Sequence, residues 1–145
     1  MRSTILRTGL AAFAGTTALL VASAAFAAMV NLKAEMKAAN EVPPVAGNGS
    51  GTLTATFDTT SKKLTWKGTY KGLSGPATAA HFHGPAENGK NAGVVIPIGN
   101  DIKESFEGSA TLTDAQAAEM MAGKWYVNIH TATNKAGEIR GQLTK

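Results

Sequence analysis

Apolar side chains that recur at every second position, in short runs broken by turn residues, leave this chain few folds to adopt. Leu32, Ala34 and Met36 alternate with Lys33 and Glu35; Leu53, Ala55 and Phe57 alternate with threonines; Leu64, Trp66 and Tyr70 alternate with Thr65, Lys67 and Thr69. A period of two sets one face of an extended strand against a core and leaves the other polar. Between the runs lie Asn40-Glu41-Val42-Pro43-Pro44 through Gly51, then Asp58 to Ser61, then Gly72 to Pro76, all turn or loop chemistry. Further strands are expected at Ala77 to His83, Gly93 to Ile98, Glu104 to Leu112, Lys124 to Thr131 and Glu138 to Leu143. A single helix is expected over Asp114 to Ala122. Thr113 stands as its N-cap, Gln116 completes a capping box, and Gly123 stops it. The expected fold class is all-β: an antiparallel β-sandwich, Greek-key-like, with one short helix. Phe57, Trp66, Trp125 and Ile129 fall on alternating positions and belong to its core rather than to a binding platform.

The start of the chain has a different character. Arg2 and Arg7 precede an uncharged run from Thr8 to Ala25, and Ala25-Phe26-Ala27 ends it with small residues where a signal peptidase reads them. Residues 1–27 are therefore expected to be a secretory signal peptide, cleaved after Ala27, ahead of one domain over residues 28–145. A spanning helix wants roughly 20 strongly apolar residues, and Gly15, Thr16, Thr17 and Ser23 dilute this run. The expected location is periplasmic or secreted, with no membrane attachment after cleavage. Loss of Arg2 and Arg7 would reduce the net charge of +4 to a nearly balanced surface with scattered lysines. Such a surface excludes a nucleic-acid binder, which clusters Lys and Arg on one face. Cysteine is absent, so thiolate nucleophiles, zinc ribbons, blue-copper thiolates and iron–sulfur clusters are excluded as well.

His81, His83 and His130 are all the histidines there are. His81 and His83 lie two apart on an expected strand, so both leave the same face of the sheet, roughly 6 to 7 Å apart. His130 closes the expected strand from Trp125, and a neighbouring position would let it supply a third ligand. A lone strand histidine is more often hydrogen-bonded core than a metal ligand. Three at strand ends beside Gly, Pro, Asn or Thr point instead to one shared metal site. Neutral imidazoles suit copper or zinc and do not suit calcium or magnesium. Copper is the first expectation and zinc the runner-up. Glu41 and Asn128 are candidate acceptors for the second ring proton of a ligand histidine. Asn134-Lys135-Ala136-Gly137 reads as a hairpin turn that brings Arg140 back beside the strand of His130.

With these pieces in view, the chain resembles the CHRD family, the domain named after its occurrence in chordin. The blocks that carry the resemblance are Asn40-Glu41-Val42-Pro43-Pro44, Gly51, Ala79-Ala80-His81-Phe82-His83-Gly84-Pro85, Gly93-Val94-Val95, Trp125-Tyr126-Val127-Asn128-Ile129-His130-Thr131 and Gly137-Glu138-Ile139-Arg140-Gly141-Gln142-Leu143. The resemblance implies an antiparallel β-sandwich and leaves the activity open. A weaker likeness is to copper–zinc superoxide dismutases, which also carry a His-x-His pair, a late-strand histidine and a C-terminal arginine on a β-sandwich. That likeness implies His81, His83 and His130 as copper ligands and Arg140 as a catalytic cation that draws in superoxide. The alternative for Arg140 is an ion pair with Glu138, two residues back. With no bridging histidine, disulfide or zinc loop, such an enzyme would be copper-only. Three functions follow: a copper-dependent superoxide dismutase, a copper-binding or buffering protein without turnover, and an extracellular interaction module with structural histidines.

Overall fold

The computed structural model describes residues 28–145, so the expected signal peptide over residues 1–27 lies outside the described residues. Eight strands form in order: β1 (Met29–Lys37), β2 (Ser50–Asp58), β3 (Lys63–Lys71), β4 (Ala77–His83), β5 (Val94–Asn100), β6 (Ser105–Thr111), β7 (Tyr126–Thr131) and β8 (Ile139–Gln142). Helix α1 (Asp114–Met121) joins β6 to β7. Its start is a full capping box, with Gln116 N–H donating to Thr113 Oγ1 and the Thr113 N–H donating to Gln116 Oε1. Gly123, at φ +74°, turns the chain away just beyond its end. Among the described residues, no helix is long and apolar enough to cross a membrane.

The sheet order is β5-β4-β7-β8-β1-β2-β3-β6, antiparallel throughout. Its halves, β5-β4-β7-β8 and β1-β2-β3-β6, meet at a narrow seam. One strand pair, Lys37 opposite Arg140, joins β1 to β8, and a bridge between Lys33 and Thr144 extends the contact. Gly141 permits the approach, because a Cβ there would stand 2.6 Å from the Glu35 carbonyl oxygen. The connections β3–β4, β5–β6 and β6–β7 cross from one half to the other, as the Greek-key-like expectation requires.

Folding at this seam makes the halves face each other. Trp66 of β3 and Phe82 of β4 are far apart in the sheet order, yet their rings meet edge to face at 5.2 Å. Phe82 in turn lies 6.1 Å from Trp125. The alternating residues anticipated for the core, Leu32, Ala34, Met36, Leu53, Phe57, Leu64, Trp66, Trp125 and Ile129, are buried here. At the open edge, β5 and β6 follow each other in the chain, and Tyr70 spans the connection with Oη donating to the Ile102 carbonyl at 2.8 Å. The result is a nearly closed, sandwich-like all-β fold.

Candidate metal centre

Burial distinguishes β7 from an ordinary sandwich strand. Val127 and Ile129 face the hydrophobic core, yet Tyr126, Asn128 and His130 on the other face are buried too. The cover is polar chain: the loop after β1, which carries Glu41, and the β4–β5 loop of residues 84–93. Beneath it lies a second layer containing Glu41, His83, Asn128, His130, Glu138 and Arg140, each 9% exposed or less. Polar groups tolerate such burial only when partnered. Their partners therefore decide how the histidines are held.

His81 and His83 point away from the core side of β4, where Ala80 and Phe82 are fully buried. Register shifts between Ala80 and His81 and between Phe82 and His83 interrupt the β4–β5 pairing at the two histidines. Such bulges re-aim side chains beside functional sites. His130 comes from β7, paired opposite Ala79, and so reaches diagonally to the same spot. One ring nitrogen from each histidine falls within 4.8 Å of the others. The three expected ligand residues are thus brought together.

Hydrogen bonds fix which nitrogens are available. His83 Nδ1 is 3.0 Å from the Ala92 carbonyl and His130 Nδ1 is 2.9 Å from the Lys135 carbonyl. A nitrogen facing a carbonyl must carry the proton, so both rings keep a bare Nε2. His130 Nε2 accepts from His81 Nδ1 at 3.0 Å. His83 Nε2 is buried with no partner at hydrogen-bond geometry, although the Asn128 side chain lies close to this ring. Burial holds the His81 and His83 imidazoles below the ordinary value; nearby histidine charge adds to this at His81, and the Ala92 bond opposes it at His83. Both shifts favour the neutral, ligand-donating form of His81 and His83 at neutral pH. Three convergent imidazoles, each pinned or paired at a known nitrogen and one left without a partner, fit a borderline ion such as copper or zinc.

Other site residues depart from expectation. Arg140 is 1% exposed, so its guanidinium does not stand at a solvent-facing opening. Nor does it pair with Glu138. It donates to Asn91 Oδ1 at 2.8 Å and to the Lys90 carbonyl at 2.6 Å, both in the covering loop. Its Cζ lies 3.5 Å from the centroid of the Tyr126 ring. His83 stacks on that ring at 4.8 Å and 2°. Two planar groups this close cannot share one face, so Tyr126 is sandwiched between His83 and Arg140. Glu138 instead accepts from Ser74 Oγ, Thr131 Oγ1 and Asn134 Nδ2. Glu41 and Asn128 lie in the layer, but the acceptors of the second ring protons on His83 and His130 are the Ala92 and Lys135 carbonyls. Backbone acceptors carry no sequence signal. Tyr126 was legible only as the other face of an alternating strand.

The CHRD domain model matches residues 32–143. No curated protein and no solved structure matches the chain.

Proposed function

The chain belongs to the CHRD domain family, and we propose that it is an exported protein that binds one copper ion through His81, His83 and His130 and dismutes superoxide there. The observation that carries this proposal is the convergence of three ring nitrogens within 4.8 Å, one of them buried without a partner. An orphaned buried acceptor is costly unless something absent from the protein chain satisfies it. Export, to the periplasm or outside the cell, rests on the leader-like residues 1–27.

His83 and His130 would bind through Nε2, already freed by the carbonyls opposite Nδ1. His81 would bind through Nδ1 once its proton moves to its own Nε2. Copper held there would supply exchange of single electrons between two oxidation states. Dismutation asks for that and for two protons from solvent, since two superoxide ions and two protons give one dioxygen and one hydrogen peroxide. His81 is the least buried of the three, and a small anion would approach the ion from its side.

The test is superoxide consumption by copper-loaded protein against the same copper free in buffer. Faster consumption, lost in His81→Ala, supports an enzyme. Equal consumption with copper still bound reduces the function to copper holding, and no bound copper leaves an interaction module with structural histidines.

A further inference from the structure

Arg140 has every mark of a group built to hold something still. An arginine that steers an anionic substrate keeps part of its charge facing solvent. This one is 1% exposed, with one face on Tyr126 and two of its nitrogens committed to Asn91 and Lys90. Asn91 passes the restraint on, donating from Nδ2 to the Val42 carbonyl at 2.8 Å and so tying the β4–β5 loop to the loop after β1. The next residue is Ala92, whose carbonyl faces His83 Nδ1. The Tyr126 hydroxyl meets the Ala92 carbonyl and amide, both at 3.2 Å. Arginine, loop and tyrosine thus converge on one carbonyl.

We propose that Arg140 is a positioning residue: its forked contacts to the β4–β5 loop, and its stack on Tyr126, fix the Ala92 carbonyl where it keeps the proton of His83 on Nδ1 and presents Nε2 to the metal. Its consequence for copper rests on the three-histidine proposal above, whereas the tautomer does not. A planar fork with a flat face is required at this position. Lysine carries the same charge but has neither property. The charge-steering alternative predicts that Arg140→Lys retains function; positioning predicts that it does not.

The experiment is long-range proton–nitrogen NMR of the His83 ring in the metal-free protein at neutral pH, followed by copper titration, on wild type, Arg140→Lys and Asn91→Ala. Asn91 is an exposed loop residue, and its variant cuts the same strap at the other end without touching the arginine itself. Wild type is expected to hold His83 with the proton on Nδ1. Both variants are expected to show a mixture of tautomers and about tenfold weaker copper binding, the scale on which an outer hydrogen bond affects a metal ligand. If both variants keep His83 wholly protonated at Nδ1 with unchanged copper affinity, the positioning role is overturned. If wild type binds no copper but the variants still shift the tautomer, positioning stands and the copper proposal fails on its own.

Discussion

Two buried carboxyls in the polar layer are driven in opposite directions by the balance between burial and the donors each one meets. At Glu41, burial raises the pKa and outweighs the pull of Arg140 and Asn128. At Glu138, burial also raises it, but bonds from Ser74, Thr131 and Asn134 together win and hold the carboxyl below its ordinary value. The Ser74 N–H and Oγ–H and the Thr131 Oγ–H each reach it at 2.6 Å. A depressed carboxyl stabilises the fold fully above its unfolded value of 4.5 and loses that contribution as pH falls through the lower folded value. Glu138→Gln should therefore cost about 2 kcal/mol at neutral pH, and the difference from wild type should narrow at acid pH in chemical denaturation. A constant difference from neutral to acid pH would contradict the assignment. Sequence alone offered Arg140 as the partner because residues two apart share a strand face. Ser74 lies on another connection, and no local pattern announces it.

At the scale of the element, alternation in the first three runs and turn residues around the rest located every described strand and missed only ends. β5 runs to Asn100 rather than Ile98, and β8 stops at Gln142. Pairing partners were not legible, because they depend on long-range register. One consequence concerns β3 and β6, where Trp66 lies opposite Gly108. A Cβ at Gly108 would stand 2.6 Å from Trp66 Cζ2, and the ring is packed in the core with little freedom to shift. Gly108→Ala should lower stability by roughly 1 to 3 kcal/mol, the usual scale of overpacking, visible as a lower thermal midpoint. An unchanged midpoint would show that the ring moves freely. Strand β7 illustrates the opposite limit: alternation marks one face for the core but says nothing of loops that later cover the other. The buried setting of Tyr126, Asn128 and His130 had to come from tertiary structure.

For the whole molecule, a nearly closed sheet supplies a rigid wall, and two loops fold over its outer face to make a small polar core where ligand histidines can be held. The three histidines were legible as a group because they are few and lie at strand ends. Their tautomers were not, since Ala92 and Lys135 contribute carbonyls that any residue would offer. Nor was the burial of Arg140, which follows from how the β4–β5 loop returns over β8. Whether these three rings form one copper site is read most plainly by copper(II) titration of the metal-free domain over residues 28–145 with electron paramagnetic resonance. The account predicts saturation near one copper per chain, nitrogen hyperfine structure from three imidazoles, and loss of that signal in His81→Ala, His83→Ala and His130→Ala variants that remain folded. Copper bound with the same spectrum in all three variants, or none bound by wild type, would contradict it.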